Sequence, residues 1–103
     1  MNIQEMQKMC HQIACEKGFH DNDPPMWESN SLIPRWLCLI HSEVSEAMEA
    51  HRNDDQENFI EEIADTVIRL LDMCGALEID VESEVLRKCK INQSRPRKHG
   101  KRY

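Results

Sequence analysis

Apolar residues recur along this chain at helical intervals, and no stretch alternates as a strand would require. Ile3, Met6, Cys10, Ile13 and Ala14 form one stripe, which predicts a first helix from about Ile3 to Lys17 with Gly18 as its stop. Ile33, Leu37, Ile40, Val44, Ala47 and Met48 form a second. Its helix is expected to start at Ser31, a good N-cap, to carry Pro34 in its first turn, and to reach about Arg52. A third seam, Ile60, Ile63, Ala64, Val67, Leu70, Leu71 and Cys74, predicts a helix from Asp55 or Gln56 to Ala76 or Leu77. Asp80 reads as the N-cap of a fourth, ending near Ser94, before Pro96. The stretch from Phe19 to Asn30, FHDNDPPMWESN, has tandem prolines and turn-forming Asp and Asn. It is the one long irregular connection, and such loops often line sites.

Four helices with mostly short connections predict an all-α fold, a four-helix antiparallel bundle in a single domain over residues 1–103. The seams are wide enough to pack a second subunit. Loose apolar positions on the first and fourth helices add to the surface that needs cover. A chain of 103 residues has a small core, and such a domain often gains burial by forming a homodimer.

Composition narrows the class. No apolar stretch is long enough to span a bilayer, and MNIQEMQKM lacks the pattern of a signal peptide, so the expected location is the cytoplasm. Five cysteines, Cys10, Cys15, Cys38, Cys74 and Cys89, show no CxxC spacing and mostly sit at or near apolar helix positions, so they read as reduced core residues. The net charge of −6 is unevenly spread: residues 95–103, RPRKHGKRY, carry five Lys or Arg and no acid. The rest of the chain is strongly acidic, which argues against general binding to nucleic acid. The basic tail reads as a solvated terminus, a nucleic-acid contact or a clamp for a small polyanion.

The candidate chemistry lies in four carboxylates: Glu43 and Glu46 in EVSE, and Glu62 and Asp65 in EEIAD. Each pair is spaced i, i+3, on one face of a helix. Asn53-Asp54-Asp55 reads as a turn. With reversal at Asp54, Glu43 and Asp65 are each 11 residues from the turn, and Glu46 and Glu62 each 8. An antiparallel hairpin then brings all four to one level, where they repel unless a cation neutralises them. An all-oxygen cluster suits Mg²⁺ or Mn²⁺. Acidic pairs are also common on solvated helix faces, and either pair alone says little.

The order ExxE, short spacer, ExxD resembles the MazG-like branch of all-α nucleoside triphosphate pyrophosphohydrolases. The family also carries a Lys and an Asn one turn apart on its last helix, followed by a basic stretch. Here these are Lys88 and Asn92 in LRKCKINQSR, then Arg95 and HGK at His99 to Lys101. The resemblance covers roughly residues 32–101 and implies hydrolysis of a (deoxy)nucleoside triphosphate to the monophosphate and pyrophosphate with Mg²⁺, in nucleotide-pool sanitation. It also implies a homodimer, or a tetramer built from dimers, with the site near a subunit interface. On this reading Glu43, Glu46, Glu62 and Asp65 are the metal ligands. Glu46 and Glu62 are the candidates for general base. Lys88 binds phosphate, Asn92 sugar or phosphate, and Arg95 joins them.

Some members place a base-stacking aromatic where this chain has Trp27, with His20 near the same base. Trp36, on the helical face of Glu43, is read as core. Some relatives have an aromatic four residues after the ExxD aspartate. This chain has Arg69 there, which leaves its base preference open. Two other readings stand beside this one: a related enzyme acting on another pyrophosphate substrate, and a non-catalytic helical module whose acidic face and basic tail bind partners.

Overall fold

The structure, a computed structural model, describes residues 1–24 and 30–103; residues 25–29, which include Trp27, lie outside them. Among the described residues there are four α-helices and no strand: α1 (Ile3–Glu16), α2 (Leu32–Arg52), α3 (Gln56–Ala76) and α4 (Val81–Ser94). A 3₁₀ turn, Arg97–Gly100, follows in the basic tail. None of these helices is long and apolar enough to cross a membrane.

Side-chain caps set three of the four helix starts. Asn2 accepts the Glu5 amide at 2.8 Å, Asp55 the Asn58 amide at 3.1 Å, and Asp80 the Ser83 amide at 3.2 Å. Ser31, the expected cap of α2, makes no such bond. The reason lies three residues on. A cap oxygen reaches for the second or third amide of the helix, and the third residue of α2 is Pro34, which has none.

Three helices end in the same paired bonds. Phe19 N–H reaches the Ala14 carbonyl and Gly18 N–H that of Cys15; Asp55 and Asp54 repeat this on Ala50 and His51; Ile79 and Glu78 repeat it on Cys74 and Gly75. The residue at the reversal takes positive φ each time: Gly18 at 87°, Asp54 at 55° and Glu78 at 57°. Only Gly18 does so without a side-chain penalty. Asp54 makes the hairpin between α2 and α3 that the sequence predicts.

The packing is less even than a four-helix bundle. α2 lies along α3, and α1 packs mainly on α3. α4 is fastened mainly to α1, and at its start: Ile3 N–H donates to Glu82 Oε1 at 3.0 Å, and Gln7 Nε2 donates to the Ile79 carbonyl at 2.7 Å. No residue of α4 is buried, and Val85 and Leu86 are exposed. Contact between α1 and α3 is closest at Gly75, where a Cβ would stand 2.7 Å from His11 Cβ.

Among the described residues, the buried apolar ones are Cys10, Leu32, Ala47, Ala50, Leu71, Cys74 and Leu77, and no large side chain is fully enclosed. The expected seams are therefore only partly used within one chain. Leu37, Val44 and Met48 on α2 and Ile60, Ile63, Val67 and Leu70 on α3 remain exposed, with Met48 and Ile60 each at 59%. The cysteine expectation is corrected too. Cys10 and Cys74 are buried, and burial raises the pKa of both thiols, but Cys15, Cys38 and Cys89 are exposed; all five are free.

Candidate metal centre

The hairpin sets the site. α2 presents Glu43 and Glu46 one turn apart, α3 presents Glu62 and Asp65 one turn apart, and the reversal at Asp54 brings the two helices back at the same level. One oxygen from each of Glu43, Glu62 and Asp65 lies within 4.8 Å of the others. Glu43 is buried, Glu62 half-buried and Asp65 exposed. Glu46 is exposed but close enough to Glu62 and Glu43 to perturb both. Glu61, the next residue, points to solvent.

The chain supplies one counter-charge of its own. Arg69, one turn beyond Asp65, donates from Nε to Glu43 Oε1 at 2.8 Å. That hydrogen bond, seconded by one with Glu62, holds the Glu43 carboxyl below its ordinary range. Glu62 goes the other way. The neighbouring Glu43 carboxyl, then burial, then Glu46 push it up to about 7. Without an added cation the cluster therefore keeps a proton on Glu62 near neutral pH. Glu62 Oε2 is buried with no hydrogen-bond partner. Buried carboxylate oxygens are almost always partnered, so an orphan on a member of the carboxylate cluster stands out. That arrangement fits a hard cation: the donors are all carboxylate oxygens, and one of them lacks the partner a cation provides.

Beside the cluster is a cavity of about 320 Å³. Cys10, Ile13 and Ala14 of α1, Phe19, and Ile68 of α3 form its apolar side; Glu43, Asp65, Arg69 and Asp72 form its polar side. This volume is at the lower end for a small-molecule site. Phe19 is 71% exposed despite its apolar ring. The sequence reading assigned none of Phe19, Ile13 and Ile68 to a site and placed Ile13 in the apolar stripe of α1. The available signals were an aromatic directly after a helix stop and an apolar residue three positions after Asp65.

The other expected site residues lie elsewhere. Lys88, Asn92 and Arg95 are exposed on or just after α4, and none lines this cavity. With α4 docked on α1, a single chain does not bring them to the carboxylates. Arg95 instead donates to His99 Nδ1 at 3.0 Å within the tail. The expected Trp27 contact falls outside the described residues. His20, expected beside the base, is engaged on both nitrogens. Nδ1 lies 2.5 Å from Asp23 Oδ2 and Nε2 lies 2.8 Å from Asp72 Oδ1, with the side chain 9% exposed. Burial works against protonating this ring, but the two carboxylates outweigh it and its pKa is raised. Trp36 is half-buried and meets His20 edge-on at 5.5 Å. Comparison with known proteins returned no family model, no curated protein and no solved structure that matches the chain.

Proposed function

We propose that the chain hydrolyses a nucleoside triphosphate to the monophosphate and pyrophosphate, with Mg²⁺ held by Glu43, Glu46, Glu62 and Asp65. The observation that carries this reading is the meeting of two features on the α2–α3 hairpin. A carboxylate cluster with an unpartnered buried oxygen opens onto a cavity with an apolar wall. A nucleotide offers the matching pair, an apolar base and a polyanionic chain that a bound cation can bridge.

When bound, Mg²⁺ supplies positive charge to the phosphate oxygens and makes an attacking water more acidic. The chain's own residues do the rest. Glu62 or Glu46, through whichever carboxylate oxygen the ion leaves free, takes the proton of that water. Glu46, the exposed member of the cluster, completes the ligand set and relays the proton to solvent. Arg69 stands at the cavity wall against Glu43, where it offsets phosphate charge. Phe19, Ile13 and Ile68 seat the base and exclude water from one side of the phosphates.

Lys88 and Asn92 contribute in the assembled oligomer, where α4 of a neighbouring subunit approaches the site. The exposed stripes of α2 and α3 supply the surface for that assembly. The test is release of pyrophosphate from a panel of ribo- and deoxyribonucleoside triphosphates and phosphoribosyl-ATP, with and without Mg²⁺. Pyrophosphate should appear with at least one triphosphate only when Mg²⁺ is present. Glu46→Gln should cut turnover by about a hundredfold or more while the melting temperature holds. Failure of every substrate would leave the helical interaction module as the better account.

A further inference from the structure

A second group of metal-type ligands, one of which (Asp72) also lines the same cavity, stands outside the acidic cluster and is built from different chemistry. His11 on α1, His20 in the turn after α1 and Asp72 on α3 each offer one ligand atom, all within 4.8 Å of one another. His11 Nδ1 and His20 Nε2 both lie 2.8 Å from Asp72 Oδ1, and His20 Nε2 lies 3.0 Å from Asp72 Oδ2. We propose that His11, His20 and Asp72 form a binding site for a divalent transition ion of the Zn²⁺ class, pinning α1, the turn after it and α3 together.

The ligand geometry stands independently of the proposed hydrolase activity. Two imidazoles and one carboxylate are the ligand types that favour zinc and its neighbours over Mg²⁺, which prefers oxygen alone. Zinc–ligand bonds of about 2.0–2.1 Å place tetrahedral donors roughly 3.3 Å apart. Each histidine nitrogen therefore needs to move only about half an ångström away from Asp72 Oδ1 for an ion to take the place between them.

Their supports are those of a metal site. Asp23 holds the other nitrogen of His20 at 2.5 Å, with Asp23 8% exposed. That contact fixes which nitrogen faces Asp72, the outer-carboxylate arrangement typical of ligating histidines. Gly75, one turn beyond Asp72, has no side chain, and this lets His11 come close enough to α3 to reach the aspartate. Three protein ligands leave a coordination position open, and Asp72 lines the cavity, so water or a ligand can fill it. Asp72 follows Asp65 by two helical turns, about 10 Å along α3, so the two centres are separate.

Zn²⁺ titrated calorimetrically into the full chain, in excess Mg²⁺, tests the site. One saturable equivalent per chain is expected. His11→Gln and His20→Gln should each weaken it at least about tenfold, and Asp23→Asn, which keeps all three ligands, about tenfold. Glu62→Gln, which disables the acidic cluster, should leave Zn²⁺ affinity unchanged; this separates the site from the proposed catalytic one. Substituting Co²⁺ should give the visible bands of nitrogen and oxygen ligation, lost in His20→Gln. Should either His variant fail to fold, Asp23→Asn and the Co²⁺ spectrum still decide. The proposal is overturned by absence of saturable binding, by affinity indifferent to His11, His20 and Asp23, or by a thiolate spectrum pointing to the exposed cysteines.

Discussion

Gly75→Ala gives the sharpest check on how α1 seats against α3, because two ordinary effects predict opposite signs. In a helix interior, glycine to alanine usually stabilises by about 1 kcal/mol. Here the new methyl would stand 2.7 Å from His11 Cβ and 2.9 Å from its Cγ. Carbon atoms rest comfortably at about 3.5–4.0 Å, so α1 must retreat by roughly 0.8 Å. No rotamer of His11 relieves the clash, because its nearest partner is the Cβ itself. Overpacking of this kind costs about 1–3 kcal/mol. The retreat also stretches the 2.8 Å contact between His11 and Asp72, a further loss of about 1 kcal/mol. The net expectation is destabilisation by about 1–3 kcal/mol, and for a chain of this size each 1 kcal/mol lowers Tm by about 4–8 °C. Thermal melts followed by far-UV circular dichroism, at matched protein concentration, measure it. A Tm equal to or above that of the parent would show that α1 does not lie where Gly75 admits it.

Three other outcomes are expected. Glu62 holds its proton more tightly when folded, so in EDTA the chain should lose stability as pH rises from its ordinary value of 4.5 through about 7. Glu43 has the opposite sign, but its contribution is lost only as pH falls below 4.5, outside that window. Denaturant unfolding against pH reads the slope; Glu62→Gln should flatten it, and an unchanged slope would assign it to His20 instead. Arg69→Ala should destabilise the metal-free chain by about 1 kcal/mol, with the half-exposed guanidinium keeping the loss small. Added Mg²⁺ should recover more stability in that variant than in the parent, and equal recovery would place the cation elsewhere. Ile60→Glu should convert an assembly to a 12.1 kDa monomer in sedimentation velocity, since Ile60 is 59% exposed in the single chain. A parent that is already monomeric at micromolar concentration removes the inferred interface.

The helices were legible because their ends are written locally. Asp55 and Asp80 cap by contacting an amide three residues away, and Gly18 supplies the positive φ of a helix stop. The common level of the carboxylates was legible for a similar reason, as counting from Asp54 needs only a hairpin. What stayed hidden depends on distance in sequence or on reach. The bond from Arg69 to Glu43 joins positions 26 residues apart and turned an apparent departure from the family pattern into a partner of the cluster. Ser31 looked like a cap until the missing amide of Pro34 was counted. The meeting of His11, His20 and Asp72 depends on the path of the turn after α1 and on a glycine in α3, neither of which any periodicity reveals. The wide apolar seams were read correctly as wide, but the sequence alone does not divide them into the part that α1 covers and the part left bare.

The ion pair between Arg69 and Glu43 also bears on how the chain comes to be folded at all. Domains whose ligands have no internal counter-charge often stay unfolded until their ion arrives, and chelators then denature them. Here a guanidinium from the same hairpin quiets part of the carboxylate repulsion as soon as α2 and α3 close, and the raised affinity of Glu62 for a proton quiets more. On the proposed metal-binding reading, maturation would split into two events: the scaffold forms first, and an incoming ion then finds its ligands already gathered. The same guanidinium would compete with that ion for Glu43. Loading would loosen its hold and unloading would let it return, a placeholder between one occupant and the next.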